Sequence, residues 1–182
     1  KIYFNILDDA SMIKIINDFF EKKDLKEIQD FALNKAVYTP SWFLDDDGNI
    51  QKNKEHHYGD RFPLIKNQKL FDFFIKQAEL KFKIKLKKVN EGSGIDLRNL
   101  DHFKPHIDWQ AKINILIMIS GPTAVTNGTV FYTEGKLDIH VGFKENRAVL
   151  FPSNYYHSQH ASTIPNLRRY TATLFVEDYY DV

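Results

Sequence analysis

The sequence predicts an α+β protein, with helices gathered in its first half and an antiparallel β-sandwich or jelly roll in its second. Two observations carry this. Up to about residue 90 apolar residues recur mainly at helical spacing, as in Leu70, Phe71, Phe74, Ile75 and Ala78. From residue 92 onward, short apolar runs are separated by turn residues with no helical stretch between them. The expected organisation is a single domain over residues 1–182, with a mainly helical part at 1–90 and a β core at 91–182.

Taken in order, residues 1–9 alternate as a short strand. Met12, Ile15, Ile16, Phe19 and Phe20 have helical spacing after a capping Asp9 or Ser11, which predicts a helix to about residue 21. Leu25, Ile28, Phe31 and Ala32 predict a second helix over 24–36. Residues 38–63 hold Pro40, the run Asp45-Asp46-Asp47-Gly48-Asn49 and Pro63, and read as a long loop able to cover or recognise a substrate. The acidic run lacks the ligand spacing of a calcium loop and reads as a solvated turn. Adjacent residues such as His56-His57 point apart on a strand, so they read as surface. A third helix covers 67–81. Phe82, Ile84 and Leu86 then alternate with lysines, as on an edge strand with a solvated face.

Strands are expected at 95–100, 104–109, 112–120, 129–133, 137–143, 148–151, 155–161 and 168–177, with a tight hairpin at Asn127-Gly128. Asn127-Gly128-Thr129 is also a formal glycosylation sequon, read here as part of that turn.

Composition narrows the function. Fifteen Phe and nine Tyr in 182 residues supply the bulk of a sizeable core. A net charge of +1 offers no electrostatic case for nucleic acid or an acidic membrane. The absence of cysteine excludes disulfides, a thiolate nucleophile and zinc–thiolate sites, and fits a cytoplasmic protein. No apolar run approaches the roughly 18 residues of a membrane span, so no membrane partner is expected.

The chemistry centres on Pro105-His106-Ile107-Asp108-Trp109. Residues two apart on a strand share a face, so His106 and Asp108 present an imidazole and a carboxylate side by side. These are two members of the 2-His-1-carboxylate set that holds non-haem Fe(II) with open positions. A later histidine would complete it, from among His140, His157 and His160. His157 follows the apolar run Val149-Leu150-Phe151 and its Pro152-Ser153 turn, which places it at the start of the next strand; His160 has the opposite parity. On the last strand, Arg169, Thr171, Thr173 and Phe175 share the face that points into the sandwich. A buried guanidinium needs an anion, and no neighbouring strand obviously supplies one, whereas a bound carboxylate would. On the strand 112–120, Ile113, Ile115, Ile117 and Ile119 form a face that packs on the helices. Asn114, Leu116 and Met118 then face the cavity, where Asn114 is able to donate to a ligand or to a neighbouring backbone group.

His106-x-Asp108, His157 after the Phe-Pro-Ser turn, and Arg169-x-Thr171 together resemble the Fe(II)- and 2-oxoglutarate-dependent dioxygenases over about residues 92–178. The segments 104–109 and 127–132 resemble the prolyl hydroxylase-like branch most. The resemblance implies a double-stranded β-helix (jelly-roll or cupin-like) core buttressed by the N-terminal helices. His106, Asp108 and His157 would bind Fe(II). Arg169, assisted by Thr171, would pair with the distal carboxylate of 2-oxoglutarate, and ascorbate is a candidate reductant; Asn114, from its place on the cavity face, is a further candidate contact to 2-oxoglutarate. The implied reaction is hydroxylation of an unactivated C–H bond in a peptidyl proline, another amino-acid residue or a small molecule. Thr171 and Phe175 stand where the nucleic-acid demethylase branch has Asn and a second Arg, which argues against nucleobase repair. Met118 falls near the place of a cosubstrate tyrosine of many prolyl hydroxylases. The alternative is a non-enzymatic cupin-like metal or small-ligand binding module, in which an arginine for a carboxylate beside the triad has no evident use.

Overall fold

The computed structural model describes residues 13–44, 50–51, 57–98, 105–108, 110–160 and 168–182. In chain order, β1 (Lys14–Ile16) leads to α1 (Lys22–Asp30), which widens into a π turn at Phe31–Lys35. Then come β2 (Thr39–Leu44), β3 (Ile50–Gln51), β4 (His57–Pro63), α2 (Gln68–Phe82), β5 (Ile84–Val89) and β6 (Gly94–Arg98). The remaining strands are β7 (Ile113–Ser120), β8 (Ala124–Thr133), β9 (Lys136–Phe143), β10 (Arg147–Pro152), β11 (Tyr156–Gln159) and β12 (Arg169–Asp181).

The larger sheet has the order β1-β10-β7-β12-β6-β4-β2-β3, with β5 pairing the far half of β12. The smaller sheet is β11-β8-β9. The strand parities of the sequence decide which face each sheet buries. Ile113, Ile115, Ile117 and Ile119 of β7 pack with Ala172, Leu174 and Val176 of β12 against Phe71, Phe74, Ala78 and Phe82 of α2 and Ile28 of α1. Met118, Val149 and Phe151 of the larger sheet meet Phe131, Val141 and Phe143 of the smaller one in a second apolar cluster. The two sheets thus enclose a core of their own, with helices buttressing one of them: a double-stranded β-helix.

Local chemistry fixes the helix ends. The Asn67 side chain accepts from Leu70 N–H at the start of α2, and Lys83 closes it in the left-handed region at φ 56°. Beyond it, Ile84 and Leu86 are buried while Lys85 and Lys87 are exposed, as the alternation indicates. These lysines meet acids: Lys85 pairs with Glu79 at 2.9 Å, and Lys88 with Glu177.

Several expectations are corrected. The helix expected up to residue 21 is instead the strand β1, followed by an irregular turn through Asp18 at φ 54°. Ile15 and Ile16 are β-branched and extend the larger sheet by pairing with β10. Phe19 and Phe20 remain core residues, tethered by Asn146, whose side chain accepts from Phe20 N–H and donates to Phe20 O. The loop expected at 38–63 contains β2, β3 and β4, because β4 pairs with β6 and Arg61 finds Asp96 across that pairing. Among the described residues of 14–89, five strands therefore accompany the two α-helices. Asn127-Gly128 is not a hairpin turn. It lies within β8, at a register shift, and the β8–β9 turn is made by Glu134 and Gly135, both at positive φ. Residues 1–9, the acidic run 45–49, His56 and His102 lie outside the described residues. No helix among the described residues is long and apolar enough to cross a membrane.

Candidate metal centre

His106, Asp108 and His157 come together so that one ligand atom from each lies within 4.8 Å of the others. His106 and His157 are directly opposed, each donating its backbone N–H to the other's carbonyl at 2.9 Å. Residues 105–108 make no longer strand than this one bridge, which corrects the strand expected at 104–109. Pro105 has no N–H to give, and Asp108 N–H turns instead to Ser153 O at 3.0 Å. The Pro152-Ser153 turn therefore holds Asp108 as well as launching β11.

His157 Nε2 lies 3.5 Å from Asp108 Oδ2, and His106 Nε2 lies 3.7 Å from Asp108 Oδ1. His157 Nδ1 sits 2.9 Å from Tyr155 O, so it carries the proton and leaves the Nε2 lone pair facing the carboxylate. Phe151 packs edge-on against this ring at 4.9 Å. Burial lowers the pKa of His157, with Asp108 acting in the opposite sense. Burial also raises the pKa of Asp108, against the pull of His157 and of the Asn114 amide. The pocket thus favours a neutral imidazole, which is the ligating form, and it disfavours an uncompensated carboxylate.

Asn114 is fully buried on β7, facing the cavity as its parity indicates. Its Nδ2 donates to Asp108 Oδ2 at 2.6 Å, so the amide is committed to a triad carboxylate, and its Oδ1 has no partner among the described residues. Arg169 and Thr171 are buried on the inward face of β12. Arg169 Nη1 donates to Gly128 O at 2.9 Å and to Asn127 Oδ1 at 3.2 Å, and Nε has no partner among the described residues. These acceptors are neutral. The pKa of Arg169 is pushed down to about 9 by burial and by Arg98, against Asp96.

Sequence reasoning missed Asn127, which it assigned to a turn, and Asp96, the acid on the strand next to Arg169. Asp96 is taken by Arg61 at 2.7 and 3.1 Å. An Asn-Gly pair inside an alternating run was the available signal for a bulge rather than a turn. His140 and His160 are not brought to the triad. Val141 and Phe143 point into the barrel, so His140 faces outward, with its ring 4.8 Å from that of His160. Met118 packs among Phe131 and Phe143, with no tyrosine in its place.

No protein-family model and no curated protein matches the sequence. Solved structures do match. HygX from Streptomyces hygroscopicus, solved with nickel and 2-oxoglutarate bound, superposes with a TM-score of 0.62 at 10% identity, covering 96% of this chain and 84% of HygX. A prolyl hydroxylase from Trichoplax adhaerens, in complex with a hypoxia inducible factor peptide fragment, gives 0.60 at 17% identity, covering 93% and 83%. This chain has the fold of the 2-oxoglutarate-Fe(II) oxygenases. The fold serves more than one reaction, since the α-ketoglutarate-dependent epimerase SnoN of nogalamycin biosynthesis also matches, with a TM-score of 0.61 at 11% identity over 94% of this chain and 79% of SnoN.

Proposed function

We propose that this chain is an Fe(II)- and 2-oxoglutarate-dependent oxygenase that hydroxylates a C–H bond of a peptidyl proline or another amino-acid residue. The observation that carries the reading is the pairing of two features in one barrel. One is the His106, Asp108 and His157 donor set, within 4.8 Å; the other is the buried Arg169, held by neutral acceptors. Two imidazole nitrogens and one carboxylate oxygen suit a divalent transition metal and leave coordination positions open. The Nε of Arg169, without a partner among the described residues, suits the distal carboxylate of a 2-oxo diacid. When bound, iron, the 2-oxo acid and dioxygen supply the oxidation that converts C–H to C–OH, with succinate and carbon dioxide as coproducts.

The chain's own residues bind, orient and exclude. Asn114 fixes the rotamer of Asp108, and the Tyr155 carbonyl fixes the tautomer of His157. Asn127 and the Gly128 carbonyl steer Arg169. Phe131 and Phe151 wall the His157 side of the cavity against water. The amino-acid substrate is supported by the segments 104–109 and 127–132, which resemble prolyl hydroxylases, and by the peptide-bound neighbour. A non-enzymatic binding module has no use for a buried arginine without an anion.

The test is to add Fe(II) and 2-oxoglutarate to the purified protein without oxygen and to record the visible spectrum. A charge-transfer band that needs both components supports the proposal. No band, with little iron retained, overturns it in favour of the binding module.

A further inference from the structure

The Asn114 amide has two ends, and the fold uses only one. Nδ2 donates to Asp108 Oδ2 at 2.6 Å, while Oδ1, on the same carbon, accepts from no atom among the described residues. Reversing the amide does not mend this, because Oδ1 would then face the Asp108 carboxylate, acceptor against acceptor. The carboxylate therefore fixes which end points where. Asn114 is fully buried on β7, and its direct neighbours across the sheet are Phe151 of β10 and Phe175 of β12, whose rings have no N–H or O–H to donate. A buried carbonyl oxygen without a donor is costly, and native folds rarely leave one so.

The place of this acceptor gives it a use. It is carried on the inward tip of a side chain bonded to a triad carboxylate, and the triad keeps contact with solvent: the side chains of Asp108, His106 and His157 are 20%, 15% and 10% exposed. Phe175, beside Asn114, is only half-buried. A molecule that reaches the triad from solvent therefore arrives next to Oδ1. In the function proposed above, on which this step rests, the cosubstrates supply no donor, since a 2-oxo diacid at neutral pH and dioxygen carry acceptors only. The donor is left to the primary substrate.

We infer that Asn114 Oδ1 receives an amide N–H of the primary substrate. A residue within a peptide has such donors on both sides of its α-carbon, its own N–H and that of the next residue, and a proline keeps only the second. The substrate class is then a peptide held by a backbone N–H beside the reacting carbon. A compound with acceptors alone, or with only tertiary amides near that carbon, does not fit. One amide thus serves two partners, a metal-ligand carboxylate on Nδ2 and the substrate on Oδ1.

The experiment uses isotope-labelled, zinc-loaded protein saturated with 2-oxoglutarate. Ligand-observed NMR follows the methylamides of N-acetylalanine, N-acetylleucine and N-acetylproline, each against analogues methylated at one amide nitrogen at a time. At least one methylation is expected to weaken binding about ten-fold, because it removes the donor and leaves the acceptor unpaired. The Asn114 Cγ resonance should move with the N–H compound and not with that methylated analogue. Asn114→Leu keeps the size of the side chain without the acceptor and should abolish the preference. A preference that survives Asn114→Leu comes from the bulk of the added methyl group and overturns the inference. No binding of any methylamide, or equal binding within every set, also overturns it. So does a Cγ resonance that stays in place, which would mean that water serves Oδ1. If Asn114→Leu does not fold or takes up no zinc, the Cγ resonance of the unsubstituted protein decides. If the unsubstituted protein takes up neither zinc nor 2-oxoglutarate, the proposed function fails, while the same titrations on the metal-free protein still read the N–H preference and the Cγ shift.

Discussion

Asn114 Nδ2 donates to Asp108 Oδ2 across 2.6 Å, from the middle of the larger sheet to the short segment that pairs with β11 through the His106–His157 bridge. That bond is one of the forces lowering the Asp108 pKa against the rise caused by burial. Removing it in Asn114→Ala raises that pKa further, so protons compete better with metal for the carboxylate. The acid limb of metal binding is expected to move to higher pH. At neutral pH, affinity should fall by about 10- to 100-fold, as for other groups that orient a metal ligand. Calorimetric titration with Ni(II) between pH 5 and 8 checks this. An unchanged acid limb would show that the bond does not tune the carboxylate.

His157 and His160 test the ligand assignment. His157 Nε2 faces Asp108, whereas the His160 ring stacks by that of His140 on the other side of the smaller sheet. His157→Ala is expected to lose metal binding and turnover, and His160→Ala to retain most of both. Metal analysis after desalting, with turnover assays on both variants, reads the outcome. The reverse pattern would move the third ligand to the outer face.

Arg169 and Asn127 separate charge from shape in the cosubstrate pocket. Arg169→Ala should weaken 2-oxoglutarate binding far more than metal binding. Asn127→Asp keeps the acceptor at 3.2 Å from Arg169 but adds a carboxylate that competes with the incoming anion. It is therefore expected to weaken 2-oxoglutarate binding more than Asn127→Ala does, by at least about ten-fold relative to the unsubstituted protein. A purely structural role for Asn127 predicts the opposite order. Gly128 is constrained separately, since a Cβ there would press into the Val141 carbonyl oxygen. Gly128→Ala should cost about 1–3 kcal/mol of stability through overpacking, measurable by denaturant titration.

The fold was most legible where alternation is strict. The isoleucines of β7 and the split faces of β12 can be read directly because a strand's two faces meet different surroundings, and the same parity aims Arg169, Thr171 and Asn114 inward. Legibility failed where tertiary pairing overrides local pattern. Ile15 and Ile16 have helical spacing with Phe19 and Phe20, yet their backbone is claimed by β10. Asn127-Gly128 has hairpin composition, yet its amide is bound to Arg169, 42 residues away in sequence. Asp96 looked unremarkable because its partner Arg61 lies on a strand that reads as loop. Local composition cannot report such partners. The triad could be read because two of its members are neighbours in sequence and the third follows a marked turn.

Asp108 also sets a cost on the metal-free fold. Its pKa is raised above 3.8 by burial, so folding favours its protonated form. That contribution is complete below pH 3.8 and is lost as pH rises through the folded-state value. At neutral pH the buried carboxylate therefore destabilises the metal-free protein. Asp108→Asn removes the charge and keeps an oxygen for Asn114 Nδ2, so it should raise the melting temperature at pH 7 in the presence of a chelator. A rise of about 2–4 °C is expected for each kcal/mol relieved. The difference should shrink as pH falls through 3.8, below which the native carboxyl is protonated in both states. His157 is common to both proteins, so its own titration largely cancels. Added Ni(II) should invert the order, stabilising the native protein and not the variant. Chelator-treated proteins that melt alike at pH 7 would mean that His157 and Asn114 already compensate the carboxylate in full.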